Sequence, residues 1–268
     1  MTRLKTEWVD YMIDGMEEYN SALRQKIGTD LCGLAAAVFQ LDRESLLHMG
    51  REQKTAVVPV TQGEGIIGSF SDAVAAIIRS MGFSAEVTSR RDVDGLYEGF
   101  QRDCSIFFLA DDARYIGMNA AAGRVSDNNW ATAAGFIQAL DFLMEKHGKD
   151  MRRELILQIG YGIVGRESAK ILSGKDIDFV LFDKDKDKLA DAGCEIISRD
   201  EIRNFKYILD FTNEGGWLRR EDLADDVLYV SPGVPYSMDE EAARYHESRA
   251  VHDNLEIGTA VMLAQCLI

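Results

Sequence analysis

Little in this chain suits a membrane, a metal or a polyanion. No apolar run reaches the length of about 20 residues that a transmembrane helix needs, and the N-terminus lacks the apolar core of a signal peptide. The four cysteines, Cys32, Cys104, Cys194 and Cys266, stand far apart with no C-x-x-C pair. That spacing speaks against a disulfide framework, and Cys104, beside an apolar strand, reads as a buried free thiol. The four histidines, His48, His147, His246 and His252, show no metal-ligand spacing, so no metal is expected. Basic residues are also short: 30 Lys and Arg against 45 Asp and Glu leave a net charge of −15. A nucleic acid or an anionic membrane surface needs a basic footprint, and none is present. A cytoplasmic location is the expectation.

What the chain does have is enough apolar content, 46% of 268 residues, to fill the cores of two domains. The most informative stretch is residues 154–183. It reads as a strand (Leu155, Ile156, Leu157, Ile159), a glycine turn, a helix, and a second strand (Phe179, Val180, Leu181, Phe182). The turn, Gly160-Tyr161-Gly162-Ile163-Val164-Gly165, is a G-x-G-x-x-G. In that pattern the first glycine permits a tight turn, the second lets backbone approach a pyrophosphate, and the third lets helix pack close on strand. The helix N-terminus then offers N–H groups and a positive dipole end to the phosphates. Asp183 follows Gly160 by 23 positions, where a ribose-binding carboxylate is expected. A carboxylate there would repel a ribose 2′-phosphate and favours NAD, although Lys184, Lys186 and Lys188 keep NADP open. A structural βαβ unit with no ligand is the plainer alternative.

Earlier in the chain, Trp8, Met12, Met16, Tyr19 and Leu23 recur at helical spacing within a helical region of residues 6–47. This stripe can be core, or the inner face of a lid. From Ala56 the pattern alternates: a strand at residues 56–61, a glycine-rich turn at 62–69, then a helix with Val74, Ile77, Ile78 and Met81 on one face, which Ser69 or Ser71 can cap. A short strand at 84–89, helix at 97–101 and a buried strand at 105–110 complete a small parallel or mixed sheet. A long helix at 128–147 connects to the glycine-turn domain, which continues through strands at 207–211 and 227–230 and ends in an apolar tail at 260–268 read as a closing helix. The fold class is therefore α/β in two domains: an N-terminal helical and small α/β substrate domain, 1–127, and a connector helix with a Rossmann-type parallel-sheet domain, 128–268.

Ligands of open α/β sheets gather beyond the carboxyl ends of strands. In the second domain those ends carry residues 160–165, Asp183, Phe211-Thr212-Asn213 and Ser231-Pro232-Gly233; in the first, Thr61 to Gly65 and Asp111-Asp112. A cleft between the domains would bring the two sets together. The 63–69 turn lacks a P-loop lysine and carries Glu64, so an amine-bearing or amino-acid substrate suits it better than a phosphate. It can equally be a plain glycine turn and helix cap. A carboxylate closing an apolar strand, Asp111 or Asp112, can bind a substrate ammonium or act as a base with a raised pKa; a surface turn or helix cap is the structural alternative. Asn128 can bridge substrate and nicotinamide or cap its helix. His246 and His252 read as structural.

These motifs resemble a specific family, the pyrrolysine biosynthetic dehydrogenases (PylD). The resemblance is carried by Val58-Pro59-Val60-Thr61 running into Gly63-x-Gly65-Ile66-Ile67-Gly68-Ser69-Phe70-Ser71. It continues through Leu109-Ala110-Asp111-Asp112, Asn128, the 160–165 turn, Ser231-Pro232-Gly233-Val234-Pro235 and Ile257-Gly258-Thr259-Ala260. Glu64 departs from the small neutral residue expected there. The resemblance implies an NAD-dependent enzyme whose substrate is 3-methyl-D-ornithine joined to the ε-nitrogen of L-lysine (3-methylornithyl-N6-lysine). The carbon bearing the terminal amine would be oxidised to an imine, ammonia lost by hydrolysis, and the resulting aldehyde closed onto the ornithine α-amine to form the pyrroline ring. The roles read into the motifs are Asp111 as base or ammonium anchor, with Thr61, Gly63, Gly65, Ile67 and Ala110 around the substrate. The cofactor would take Ser69, Asn128, Gly160, Tyr161, Gly162, Ile163, Val164, Gly165, Asp183, Phe211, Thr212, Ser231, Pro232 and Gly258. A homodimer is the default assembly. Two alternatives stay open: another two-domain amino-acid dehydrogenase, against which the lack of a well-placed lysine at residues 56–112 counts, and an NAD-sensing module without turnover.

Overall fold

The structure, a computed structural model, describes residues 4–268. Its elements in chain order begin with helices α1 (Met12–Ile27), α2 (Leu31–Val38) and α3 (Arg43–Gly50), then β1 (Lys54–Val58), α4 (Phe70–Ser80), β2 (Ser84–Val87), α5 (Asp92–Gln101) and β3 (Ile106–Ala110). They continue with β4 (Tyr115–Asn119), β5 (Arg124–Asp127), α6 (Asn128–Lys146), β6 (Ile156–Ile159), α7 (Ile163–Gly174), β7 (Phe179–Phe182) and β8 (Tyr207–Asp210). Last come β9 (Leu228–Ser231), α8 (Glu240–Tyr245), β10 (Ala250–His252) and α9 (Glu256–Leu267). No helix among the described residues is long and apolar enough to cross a membrane.

The chain divides into two compact units. One comprises the N-terminal segment through Ala22, Thr29–Thr132 and Leu255–Ile268; the other comprises Leu23–Gly28 and Ala133–Asn254. The division expected from the sequence, at residue 127, differs in one consequential respect. Helix α9, expected to close the second domain, belongs to the first unit.

The first unit has a five-stranded mixed sheet in the order β2-β1-β3-β4-β5, with β1 parallel to β2 and β3, and β3-β4-β5 antiparallel. The β4–β5 hairpin is not among the expected elements, because Tyr115–Asn119 alternates too briefly to register as a strand. The expected face of α4 is fully buried at Val74, Ile77, Ile78 and Met81. Along the N-terminal stripe, Met12, Met16 and Leu23 are buried and Trp8 and Tyr19 are half-buried, so the stripe serves as core. Helix α9 is buried nearly all round, which explains its lack of a polar face. Its polar groups are met one by one: Tyr115 and Thr259 hydroxyls lie 2.9 Å apart, Asn119 Nδ2 donates to the Cys266 carbonyl (3.0 Å), and Arg124 donates to the Leu267 carbonyl (3.0 Å). The last two satisfy carbonyls that a helix C-terminus otherwise leaves without partners. Among the cysteines, which are all free, Cys32 and Cys266 are buried and their thiols pushed up to about 12 by loss of hydration.

The second unit has an all-parallel sheet in the order β10-β9-β8-β6-β7. Its strands are buried along their whole length or nearly so, as sheets covered on both faces require. The chain runs from β6 outward to β7, then returns across to β8 on the other side of β6. That reversal creates a switch point beyond the carboxyl ends of β6 and β8, the position where open sheets of this class bind ligands.

Candidate active site

The 160–165 turn sits at this switch point, and its three glycines have three distinct environments. Gly160 has a positive φ of 88°, and a Cβ there would lie 3.0 Å from both the Phe211 backbone and the Thr212 methyl. A Cβ on Gly165 would fall 2.2 Å from the Gly160 carbonyl oxygen, so α7 can approach β6 only with glycine there. Gly162 is different: a Cβ would meet nothing within 4 Å. Open space at the N-terminus of α7, beside backbone N–H groups, fits a pyrophosphate.

The turn is held from below and from the side. Gln158, fully buried in β6, donates from Nε2 to the carbonyls of Gly160 (3.1 Å) and Gly165 (2.9 Å), bridging its two ends. Asp183, 8% exposed, accepts the Tyr161 N–H at Oδ2 (2.7 Å) and the Asp185 N–H at Oδ1 (2.9 Å). Each carboxylate oxygen retains a lone pair, so Asp183 can both fix the turn and accept from a ribose hydroxyl. Of the lysines that follow, Lys184 is paired with Glu214 and Lys188 with Asp185 (3.8 Å). The Arg166 guanidinium lies 4.4 Å over the Tyr161 ring and is itself bonded to both Asp191 oxygens.

Phe211 and Thr212 stand beside Gly160, and the turn after β9 closes on the same place. A Cβ on Gly233 would lie 2.2 Å from the Thr212 carbonyl oxygen. Ser231 is committed locally: its hydroxyl accepts the Gly233 N–H (3.0 Å) and its carbonyl bonds His252 Nδ1 (2.9 Å). His252 stacks on Tyr236 with centroids 4.0 Å apart, and burial pulls its pKa down to about 4. The neutral ring that results is structural, as its place in the sequence suggested.

In the first unit, β1 ends at Val58, three residues earlier than expected, and residues 59–69 form an irregular segment leading to α4. Val58, Pro59, Val60, Gly65, Ile66, Ile67, Phe70, Ala110, Asp111 and Asp112 line one pocket. The structure thus brings together Gly65, Ile67, Ala110 and Asp111 of the expected substrate residues. Thr61 is engaged elsewhere. Its N–H and hydroxyl donate to Asp92 (2.8 and 2.6 Å), which holds the Asp92 carboxyl below its usual range. Gly63 packs on Asp112, where a Cβ would lie 2.0 Å from Oδ2.

The two neighbouring acids play different parts. Asp112 is exposed and accepts the Glu64 N–H at 2.6 Å, tying the 61–69 segment to the end of β3. Asp111 is half-buried; its Oδ1 accepts from the Ala113 and Arg114 N–H groups (2.8 and 2.7 Å), while Oδ2 has no hydrogen-bond partner among the described residues. A carboxylate fixed through one oxygen and open at the other is suited to receive a cation or a proton.

Two expected helix caps are not made. Ser69 occupies the N-cap position of α4 but in a left-handed conformation (φ 63°) and without a side-chain cap bond. Asn128 does not cap α6; Asp127 does, accepting the Asn129 N–H (2.9 Å), while Asn128 Oδ1 accepts from the Thr132 hydroxyl (3.2 Å). Gly258 lies against that same pair, a Cβ there meeting Thr132 Oγ1 at 2.6 Å and Asn128 Oδ1 at 2.9 Å. Asn128, Thr132 and Gly258 therefore pack together within the first unit. Gln158 and Asp210 were not foreseen from the sequence; a polar residue inside an otherwise apolar strand was the available signal for both.

Residues 9–126 match the family described as "Pyrrolysine biosynthesis protein PylD, N-terminal domain". Pyrrolysine synthase of Methanosarcina barkeri is 29% identical over 256 residues, covering 94% of this chain and 93% of that protein. Its counterpart from Methanosarcina acetivorans is 27% identical over 271 residues, covering all of both. The N-terminal part of the chain thus matches that family, and its whole length is similar to these two proteins. Among solved structures, shikimate dehydrogenase of Aquifex aeolicus superposes with a TM-score of 0.51 at 14% identity, over 79% of this chain and 91% of that one. Shikimate 5-dehydrogenase of Thermus thermophilus gives 0.50 at 15%, over 79% and 90%. At such identity the likeness establishes the Rossmann-type α/β fold and nothing finer.

Proposed function

We propose that this chain catalyses the NAD-dependent oxidation of the terminal amine of 3-methylornithyl-N6-lysine, the step that releases ammonia and leads to the pyrroline ring of pyrrolysine. The observation that carries the reading is the full-length similarity to two proteins named pyrrolysine synthase, on a chain whose second unit has a glycine turn fit for a dinucleotide. A nicotinamide dinucleotide at that turn supplies the hydride acceptor. Gly162 and the first turn of α7 would hold its pyrophosphate, and Asp183 its adenosine ribose. The Asp183 carboxylate, with Lys184 and Lys188 already paired to acids, favours NAD over NADP.

The first unit's residues handle the substrate. An amine must be uncharged before its carbon can lose hydride, so a proton acceptor beside it is required. Asp111 Oδ2 offers one, and its geometry is fixed by the two N–H bonds to Oδ1. The same oxygen can first anchor the incoming ammonium, since the unmet lone pairs of a carboxylate favour a cation. Gly65, Ile67 and Ala110, lining the pocket with Asp111, present backbone groups to the amino-acid ends.

Incubation with NAD and the methylornithyl-lysine adduct, followed by absorbance of the reduced cofactor, tests this reading. Turnover with the adduct is expected. Turnover with a plain amino acid alone would favour a general amino-acid dehydrogenase, and NAD binding with turnover of neither would favour a sensor. Asp111→Asn should lower kcat by about 100-fold or more while NAD affinity stays near wild type; an unchanged kcat would remove Asp111 from the chemistry.

A further inference from the structure

Asp210 ends β8, the strand beside the glycine turn, with no exposed surface at all. Its Oδ2 accepts from the Tyr229 hydroxyl at 2.5 Å, and its Oδ1 accepts both the N–H (2.8 Å) and the hydroxyl (2.7 Å) of Thr212. The Thr212 hydroxyl also lies 2.9 Å from that of Ser237. Burial raises the Asp210 carboxyl above the ordinary range, against the pull of these donors. An apolar side chain would end a buried strand at lower cost, so a fully bonded acid here calls for a reason.

What Asp210 holds supplies one. Thr212 is wedged between two turns: its methyl fills the space beside Gly160, and its carbonyl oxygen fills the space beside Gly233. Any drift of Thr212 would shift the β6 and β9 turns relative to each other.

We propose that Asp210 is a positioning residue for the dinucleotide crevice, setting the spacing of the Gly160 and Gly233 turns through Thr212. This rests on the dinucleotide reading of the second unit. The strand order makes the effect one-sided. Asp183, after β7, serves the adenosine half on one side of β6, whereas β8 and β9 lie on the other side, where the nicotinamide half extends.

Titration of Asp210→Leu, Asp210→Asn and Thr212→Val with NADH and with AMP tests the assignment. Asp210→Leu should weaken NADH by about tenfold or more while AMP changes by less than about twofold. Asp210→Asn should restore NADH binding close to wild type, since an amide oxygen can still accept from Thr212 and its N–H₂ can donate to the Tyr229 oxygen. Thr212→Val keeps the shape but loses the hydroxyl, and should weaken NADH selectively. Equal losses of NADH and AMP, or no loss of either, would overturn the inference; a merely structural acid would give the former. If Asp210→Leu does not fold, Thr212→Val decides, with unchanged NADH affinity overturning it. Wild-type protein binding neither ligand would remove the dinucleotide reading itself, and this inference with it.

Discussion

The two units each place a glycine-rich turn after a central parallel strand, and each ties it down with an acid from the end of the adjacent strand. Asp183 accepts the Tyr161 N–H at 2.7 Å; Asp112 accepts the Glu64 N–H at 2.6 Å. The resemblance ends there. Asp183 is buried, and Gly160 and Gly165 are packed so closely that a single methyl would collide with backbone. Asp112 is exposed, and a Cβ on Gly65 would meet nothing within 4 Å. A turn packed tightly at both ends, at Gly160 and Gly165, is set before its ligand arrives, so little ordering remains to oppose binding. A segment held mainly by exposed carboxylates, Asp92 at Thr61 and Asp112 at Glu64, can adjust to its ligand, which suits a substrate that must enter, react and leave.

The sharpest way to break this contrast is within the buried turn. Gly165→Ala puts a methyl 2.2 Å from the Gly160 carbonyl, and should lower Tm and weaken NADH by about 100-fold. Gly162→Ala has open space and φ −76°, so its Tm should match wild type while NADH still weakens. Equal melting of the two variants, read by calorimetry, would show that the turn is less closed than its contacts suggest. The two acids give a smaller, paired effect. Asp183→Ala should weaken NADH by about tenfold and raise the NADPH to NADH preference. Asp112→Ala should leave NADH untouched and raise KM for the adduct by a few-fold. A change of NADH affinity in the second variant would contradict the separation of roles.

The effect that is smallest near neutrality is a pH dependence that burial gives the second unit. His252 has a folded pKa of about 4, below the ordinary 6.5. The unfolded chain therefore binds the extra proton between these values, and the stabilisation from the neutral ring, present above pH about 6.5, is lost as pH falls toward about 4. The loss is under about 1 kcal/mol at pH 6 and reaches the order of 3 kcal/mol only at the acid end of the window. His252→Asn, which keeps a donor for the Ser231 carbonyl, should melt with a shallower fall in Tm over that window. Parallel curves for the two proteins would remove His252 from the acid response.

Much of this was legible along the chain. The 160–165 turn, Asp183, the buried face of α4 and the strands at 156–159 and 179–182 all follow from local rules of spacing and residue type, because a strand, a helix cap or a tight turn involves neighbours in sequence. The antiparallel β4–β5 hairpin was not, since five short alternating residues carry too little pattern.

Residues whose work depends on distant partners escaped altogether. Asp210 reads as an ordinary strand end until Thr212, Tyr229 and Ser237 are seen around it, and Gln158 as a misplaced polar residue until it bridges Gly160 and Gly165. Asp111 and Asp112 are identical letters side by side, and only the folded turn sends one to Glu64 and leaves an oxygen of the other open. Local rules along the chain account for the α/β class and the glycine turn between β6 and α7, because glycine, strand period and helix period act locally. Tertiary structure alone decided that α9 belongs to the first unit, that Asn128 serves Thr132, and which acid is available. Those outcomes depend on hydrogen-bond partners and packing between segments far apart in the chain, or on the direction of one side chain.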